Sequence, residues 1–263
     1  FFWWRVGFAS VLWAVGVWDA LRDLSWGLRL ALYGLCWVVT VDTLSPFLEA
    51  DTFASVVFGL TTVAALLWFL NLYNFMDGID GLAGGMGVIG FAALGALGAQ
   101  AGDFGFFFIC ATISAACGGF LVFNFPRARI FMGDAGSSVL GLLAAALSLK
   151  ADRDGLFPLW LSVLVFSPFI VDATVTLFRR ALRREVLWRA HRSHFYQRLV
   201  ALGSSHRRAT LSEYLLMLAC AVSALLVRDA PHRSQYIVLF AWASTYGILR
   251  LSISAAERRR ISQ

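Results

Sequence analysis

At residues 71–83 the chain reads Asn-Leu-Tyr-Asn-Phe-Met-Asp-Gly-Ile-Asp-Gly-Leu-Ala, so that two carboxylates and two carboxamides follow a long apolar run. The run from Phe53 to Tyr73 is long enough to cross a bilayer, and ionisable side chains at membrane depth usually mark a functional site. If the helix continues through Asp77, the three-residue spacing places Asn71, Asn74 and Asp77 on one face. Oxygen ligands of this kind suit Mg²⁺ and the polar parts of a nucleotide. The alternative is a helix that ends at the glycines, with the aspartates only capping the next helix.

The composition places the chain among polytopic membrane proteins. Of its 263 residues, 59% are hydrophobic and only 14% are charged, whereas a soluble domain carries roughly a quarter charged residues. We therefore expect an all-α membrane helix bundle that forms a single transmembrane catalytic domain over residues 1–263. The four cysteines lie inside apolar runs and indicate no metal or disulfide pattern. About nine apolar spans are predicted, at 1–18, 28–46, 53–75, 82–101, 104–125, 137–149, 156–178, 211–227 and 235–252.

Charge is distributed unevenly between the two sides of such a bundle. The loops after spans one, three, five and seven, together with the C-terminus, hold most of the arginines, including nine between residues 179 and 208. By the positive-inside rule this side is cytoplasmic. The polar stretches at Asp19, 71–80, 124–134 and 179–208 all fall on it. Their convergence favours one active site on the cytoplasmic face over a transporter or lipid flippase, which would place polar groups near the bilayer midplane.

A second polar constellation spans residues 123–138, which read Phe-Asn-Phe-Pro-Arg-Ala-Arg-Ile-Phe-Met-Gly-Asp-Ala-Gly-Ser-Ser. Pro126 is expected to stop the preceding helix. Asp134 then lies among small residues that let the backbone approach a ligand closely. Ser137 and Ser138 are expected to open the next helix, whose N-terminal amides favour phosphate. The alternative is a tight turn with a helix cap.

The basic loop at 179–208 suggests phosphate binding, since Arg and His donate hydrogen bonds to phosphate oxygens. For most of its arginines we favour the simpler interpretation, attraction to anionic lipid headgroups. The residues that we exempt are His191, Arg192 and His194. In the seventh span we expect Asp172 to pair with Arg179 or Arg180 or to cap its helix.

Asp19 follows the first span and lies four residues before Asp23, so that the two share a helix face. A partly desolvated carboxylate here could act as a base or bind a lipid phosphate through a metal ion. A solvated helix start explains the pair equally well.

Three motifs in this order resemble those of the polyprenyl-phosphate N-acetylhexosamine-1-phosphate transferase superfamily, glycosyltransferase family 4. They are Asn71-x-x-Asn74-x-x-Asp77-Gly-Ile-Asp80-Gly-Leu-Ala, then Asn124 through Ile130-Phe131-Met-Gly133-Asp134-x-Gly136-Ser137, then Arg192-x-His194-x-x-x-Arg198-Leu199. The resemblance covers nearly the whole chain. It is greatest to the branch that initiates O-antigen or related surface-polysaccharide synthesis.

The resemblance implies a reaction and a set of roles. A UDP-linked HexNAc would give sugar-1-phosphate to a polyprenyl phosphate such as undecaprenyl phosphate, releasing UMP, with Mg²⁺ or alternatively Mn²⁺. Asp134 and Asn74 would hold the metal, and Asp77 and Asp19 would be the catalytic carboxylates. The nucleotide would be bound by Asn71, Asp80, Asn124 and the stacking ring of Phe131, and the phosphate and sugar by His191, Arg192 and His194. The setting would be the bacterial inner membrane, with a cytoplasmic C-terminus and no nucleic-acid partner, and a homodimer is left open.

Three features depart from the family pattern. The second residue of the paired aspartates is Ala20, and the family's His pair reads Tyr196-Gln197. The chain also starts where the family's third span would be, so that the preceding helices are expected to be missing. An inactive relative of the transferases therefore stays an alternative.

Overall fold

The computed structural model describes residue 64, residues 68–186 and residues 193–261. The described part of the chain is dominated by helices and contains no strand. Residues 68–75 are helical. The helices that follow are α1 (Leu82–Gln100), α2 (Phe104–Asn124), α3 (Gly133–Arg153), α4 (Leu159–Val165), α5 (Ser167–Leu182), α6 (Phe195–Ala201), α7 (His206–Val227) and α8 (His232–Ile261).

The chain divides into two compact units. The first unit comprises residues 1–75 and 132–146, and the second comprises residues 76–131 and 147–263. The single domain that we expect over residues 1–263 stays a prediction.

Within the first unit, the helical residues 68–75 and the start of α3 pack closely. A Cβ at Gly141 would lie 2.8 Å from the Cα of Leu70 and 3.0 Å from the carbonyl oxygen of Phe69. Only glycine allows two helix backbones to approach this closely, a device common among membrane helices. Gly141 therefore fixes the approach of these two helical segments.

Within the second unit, α1 packs against α2, α4 and α7. Its glycines receive aromatic rings from neighbouring helices. A Cβ at Gly98 would lie 2.5 Å from the ring of Phe106 in α2, and one at Gly90 would lie 2.6 Å from the ring of Phe166. Small residues on α1 thus let large rings fill the space between helices, and α1 is the most buried of the long helices described.

The helices agree with the predicted membrane spans. In the described part of the chain, five helices are long and apolar enough to cross a membrane, and six if the bent pair α4 and α5 counts as one span. Each predicted span from 82–101 onward has its counterpart. The predicted spans 1–18 and 28–46, and most of 53–75, lie outside the described residues. The protein is a multi-pass membrane protein.

Two spans differ from their predicted form. The span predicted at 156–178 is broken between α4 and α5, which meet at an angle of 78°. Pro168 lies in the first turn of α5, where a missing amide hydrogen costs nothing, so that the proline starts a helix rather than continuing one. The span predicted at 137–149 is the longer helix α3, because polar residues at both of its ends lower hydropathy without ending the helix.

Candidate active site

The Asp77 segment lies in a loop between two helices. The helix described from residue 68 ends at residue 75, and Asp77 is outside it. The condition for a face shared by Asn71, Asn74 and Asp77 is therefore not met, although Asn71 and Asn74 do lie in one helix. Gly81 begins α1 with a left-handed φ of 80° and with no side-chain cap, a conformation that glycine adopts without strain. The residue at the cap position is Gly81, which has no side chain to cap α1, and the alternative in which the aspartates cap this helix stays a prediction.

Two predicted site residues join this loop to the loop after α2. The carboxylate of Asp80 accepts a hydrogen bond from the amide of Ala128 at 3.1 Å. The side-chain oxygen of Asn124 accepts one from the amide of Gly81 at 2.9 Å, and its side-chain nitrogen donates one to the carbonyl of Ile130 at 2.8 Å. Asn124 is buried. The two side chains thus hold residues 76–81, the aspartate loop, against residues 125–131, the Phe131 loop.

The Phe131 loop presents an aromatic ring and two cations to the surroundings. Helix α2 ends at Asn124 and Phe125 is extended, which confirms the prediction that Pro126 stops this helix. Arg127 and Arg129 are exposed. The side chain of Phe131 is 77% exposed. An exposed ring in the same loop as two exposed guanidinium groups is suited to binding a flat ligand that carries phosphate.

Helix α7 supports the aspartate loop from a distant part of the sequence. The hydroxyl of Thr210 donates to the carbonyl of Asp80 at 2.8 Å, and that of Tyr214 donates to the carbonyl of Gly81 at 2.6 Å. A Cβ at Gly85 would lie 2.0 Å from the ring of Tyr214. The sequence carries no local signal for these contacts, because the partners lie about 130 positions apart.

The third motif also reaches the aspartate loop. A Cβ at Gly78 would lie 1.9 Å from the hydroxyl oxygen of Tyr196 and 3.3 Å from the side-chain nitrogen of Gln197. Tyr196 is fully buried. Burial raises the pKa of its hydroxyl, and the nearby carboxylates of Asp172 and Asp77 raise it further. The Tyr196-Gln197 pair, where the family pattern has two histidines, thus packs directly on the residue that follows Asp77.

His194 and Asp172 form a buried pair at the start of α6. The ring nitrogen Nδ1 of His194 lies 3.2 Å from Oδ1 of Asp172, and both residues are buried. The expected pairing of Asp172 with Arg179 or Arg180 was wrong, because its hydrogen-bond partners are Thr176, His194 and Phe195. Instead it accepts from the backbone amide of Phe195 and so caps α6 rather than its own helix.

In the first unit, Asp134 lies in the first turn of α3, and Asn74 lies on the helical residues 68–75. Helix α3 begins at Gly133, four residues before the predicted start at Ser137, whose hydroxyl donates to the carbonyl of Gly133 at 3.0 Å. A carboxylate and a carboxamide are hard oxygen donors, so the predicted pair fits Mg²⁺ chemically. Among the described residues there is no group of three or more His, Cys, Asp or Glu side chains that could hold a metal ion. Asp134 and Asn74 are a pair and include an asparagine, so this finding does not test them, and their role as metal ligands stays a prediction.

The other predicted site residues are placed as follows. Asn71 is half-buried in the same helical stretch as Asn74. Asp19, His191 and Arg192 lie outside the described residues.

An all-helical membrane bundle whose three polar motifs carry acidic, amide and aromatic groups has the features of a membrane-embedded transferase. Over residues 2–152, more than half of its length, the chain matches the model of glycosyl transferase family 4. The protein belongs to this family, which confirms the resemblance drawn from the motifs.

Several curated relatives share this part of the chain. It is 34% identical over 124 residues to a probable undecaprenyl-phosphate N-acetylglucosaminyl 1-phosphate transferase of Bacillus subtilis, covering 46% of the chain and 35% of the relative. It is 37% identical over 120 residues to a decaprenyl-phosphate N-acetylglucosaminephosphotransferase of Mycobacterium tuberculosis, covering 41% and 30%. A phospho-N-acetylmuramoyl-pentapeptide-transferase of Synechococcus is 44% identical over 73 residues, covering 28% and 22%. The matched part of the chain thus spans about a third of the first two relatives or less.

Proposed function

We propose that the protein transfers a HexNAc-1-phosphate from a UDP-sugar to a polyprenyl phosphate such as undecaprenyl phosphate. The products would be a polyprenyl-diphosphate-sugar and UMP, and the reaction would initiate synthesis of a surface polysaccharide such as O-antigen. The observation that carries the proposal is the junction of three motif segments within the second unit. The aspartate loop is hydrogen-bonded to the Phe131 loop and to α7, and Tyr196 of α6 packs on Gly78.

The chain's own residues supply binding and orientation. The exposed ring of Phe131 is available to stack on uracil, and Arg127 and Arg129 lie in the same loop. Asp80 and Asn124 fix the backbone of the two loops that would hold the nucleoside. In this proposal Asp77 lies beside the diphosphate. Its carboxylate is close enough to Tyr196 to raise the pKa of the tyrosine hydroxyl.

Asp134 and Asn74 would hold Mg²⁺ or Mn²⁺, which would neutralise negative charge on the diphosphate when bound. Asn71 would assist the nucleotide, and His191, Arg192 and His194 the phosphate and sugar.

The reaction that we propose is a direct in-line displacement. An oxygen of the lipid phosphate forms a bond to the β-phosphorus of the UDP-sugar, and the bond from that phosphorus to the bridging oxygen breaks. UMP leaves with the bridging oxygen and its electron pair. Because a phosphate monoester has a second pKa of about 6, the acceptor is mostly dianionic at neutral pH. Asp19 would then orient the acceptor more than deprotonate it, and positioning with electrostatics would supply most of the rate.

The location that we propose is the bacterial inner membrane with the active site on the cytoplasmic face. The distribution of arginines supports it, because the last turn of α8 carries Arg258, Arg259 and Arg260. The loop between α1 and α2 joins the ends of these two helices that lie away from the aspartate loop and the Phe131 loop. It carries Asp103 and no basic residue.

The test is product analysis with a panel of donors. Membranes that carry the protein are incubated with polyprenyl phosphate and each of several UDP-sugars. The masses of the lipid products are measured by mass spectrometry, and the released UMP is quantified. We expect one UDP-HexNAc to yield both UMP and a lipid heavier by one HexNAc-phosphate. The Asp134→Ala variant should yield neither. Movement of lipid across the membrane without UMP release from any donor would contradict the proposal and favour a flippase.

A second arm of the same experiment omits the lipid acceptor. A direct displacement predicts no sugar-phosphate on the protein. Trapped sugar-phosphate that disappears in Asp77→Asn would instead support a double displacement through Asp77.

A further inference from the structure

Asp172 is buried in α5 and its carboxylate collects several hydrogen bonds. Both of its oxygens accept from the backbone amide of Phe195, at 2.9 and 3.0 Å. Oδ1 also accepts from the hydroxyl of Thr176 at 3.1 Å and lies 3.2 Å from Nδ1 of His194. A carboxylate removed from water is costly unless donors surround it. The donors here come from its own helix and from the segment that begins α6, 22 positions along the chain.

The contact decides which nitrogen of His194 carries hydrogen. If the Asp172 carboxylate accepts here as it does from Phe195 and Thr176, Nδ1 is the donor. In the neutral ring Nε2 then keeps its lone pair, and the orientation of the ring is fixed by the acceptor. His194 is 2% exposed and Asp172 is 4% exposed, so that water does not compete for this bond.

A chain of buried contacts leads from Asp172 to the aspartate loop. The ring of His194 stacks on that of Tyr196, with centroids 5.8 Å apart and planes inclined by 9°. The hydroxyl of Tyr196 in turn packs on Gly78, beside Asp77. A shift of the Asp172 carboxylate would therefore be passed to the residue that follows Asp77.

We propose that Asp172 is a positioning residue for the transfer reaction. It holds His194 with hydrogen on Nδ1 and anchors the first turn of α6 against Gly78. The inference rests on the proposed function, because it assigns Asp172 to the same site. Asp172 acts through His194 and Tyr196 and does not touch the substrate. Supporting residues of this kind typically change activity by roughly 10- to 100-fold when replaced.

The kinetic test compares three variants of α5. In Asp172→Asn a nitrogen replaces one oxygen and cannot accept from the amide of Phe195, and the remaining carbonyl oxygen is uncharged and therefore a weaker acceptor for Nδ1. We expect kcat to fall at least about tenfold, with KM for the UDP-sugar within about threefold of wild type. Asp172→Glu retains the charge and should recover part of kcat. The matched control is Thr174→Val, an exposed position of the same helix, which should keep wild-type kinetics.

The spectroscopic test reads the tautomer directly and is independent of activity. Protein labelled with ¹⁵N at histidine is compared with a His194→Gln variant, which identifies the His194 signals. We expect wild-type protein to show hydrogen on Nδ1 and Asp172→Asn to lose that pattern. Hydrogen on Nε2 alone in the wild type would overturn the proposal, even if Asp172→Asn fails to fold.

The outcomes separate this inference from the proposed function. Wild-type protein that releases no UMP from any donor contradicts the function, while the spectrum still tests Asp172. An active wild type with an equally active Asp172→Asn contradicts the role of Asp172 and leaves the function standing. A loss of kcat with an unchanged tautomer would mean that Asp172 is structural only, which also overturns the proposal.

Discussion

Gly78 has no room for a side chain, because a Cβ there would lie 1.9 Å from the hydroxyl oxygen of Tyr196. We expect Gly78→Ala to displace Tyr196 and the aspartate loop together, at a cost of about 1–3 kcal/mol for the overpacked site. The rate of UMP release should also fall at temperatures where the variant is still folded, because Asp77 directly precedes this glycine. Thermal unfolding in detergent and UMP release measure the two effects.

A second substitution tests whether the hydroxyl causes the clash. Tyr196→Phe removes it and leaves the next ring atom 3.0 Å from the new Cβ, so the double variant should recover part of the lost stability. Gly119→Ala is the control, since nothing lies within 4 Å of its Cβ. In a helix such a change is neutral or stabilising. Equal losses in Gly78→Ala and the double variant would exclude the proposed clash.

The buried hydroxyl of Tyr196 makes stability depend on alkaline pH. Burial raises its pKa above the ordinary value of 10.0. The contribution is therefore fully present below about pH 10 and is lost as the pH rises, because the unfolded chain releases a proton that the folded chain retains. The expected slope is about 1.4 kcal/mol per pH unit for one proton. Tyr196→Phe should flatten the decline between pH 10 and 11, and Tyr236→Phe, which alters an exposed tyrosine, controls for loss of a hydroxyl.

The sequence identified the residues of the candidate site but not their hydrogen-bond partners. Asp80 and Asn124 were found because the motifs contain them, yet their contacts with Ala128, Gly81 and Ile130 depend on how two loops meet. Asp172 was expected to pair with Arg179 or Arg180, about two helical turns away, or to cap its helix. Apart from Thr176 of its own helix, its partners begin α6, and only tertiary packing brings these close.

Helix α6 is clamped to α8 through Arg198. Its guanidinium donates to both carboxylate oxygens of Glu257, at 2.7 and 2.6 Å, and to the hydroxyl of Ser254 at 3.1 Å. It also lies 5.4 Å from the ring centre of Phe195. The side chain of Arg198 is 8% exposed and that of Glu257 is 31% exposed. The clamp therefore joins the third motif to the last helix that the structure describes.

Breaking this clamp should cost more from the Glu257 side. Glu257→Ala leaves a buried guanidinium without its carboxylate, for which we expect a loss of about 3–5 kcal/mol. Arg198→Ala exposes a carboxylate that water already reaches, so its loss should be smaller. The double variant should be less destabilised than the sum, with a coupling of at least about 1 kcal/mol.

The exposed pair Lys150 and Asp154 provides the control, because a surface pair of this spacing is worth about 0.5 kcal/mol or less. Unfolding of the same variants in detergent measures both pairs. Additive losses at Arg198 and Glu257 would show that α6 and α8 are held together by other contacts.

The elements themselves were predicted unevenly. Hydropathy located the long helices, but it treated residues 156–178 as one span although Pro168 indicated a new helix start. It also shortened α3, because Asp134 and Lys150 are polar while helix formation depends on backbone hydrogen bonds. Helix breaks are thus found from proline and glycine rather than from hydropathy.

For the whole molecule, composition was enough to predict the class but not the interior. Helices α1 and α8 are both apolar, yet most of α1 is buried and almost none of α8 is. Lipid tails are as apolar as a protein core, so hydropathy cannot distinguish a central helix from one that faces lipid. The glycines of α1, which admit neighbouring rings, were the better signal.

The orientation of the bundle is testable at the two ends of α7. This helix has 22 residues and spans about 33 Å, with Arg207 exposed near its start and Asp229, 80% exposed, just beyond its end. The positive-inside rule places Arg207 in the cytoplasm and Asp229 outside it. In intact cells an impermeant thiol reagent should therefore label Asp229→Cys, and Arg207→Cys should react only after the membrane is opened. The unsubstituted protein measures the background from the four native cysteines, of which the three that the structure describes, Cys110, Cys117 and Cys220, are buried. The reverse labelling pattern would place the motif loops on the outer face, where no cytoplasmic nucleotide sugar could reach them, and would contradict the proposed reaction together with the orientation.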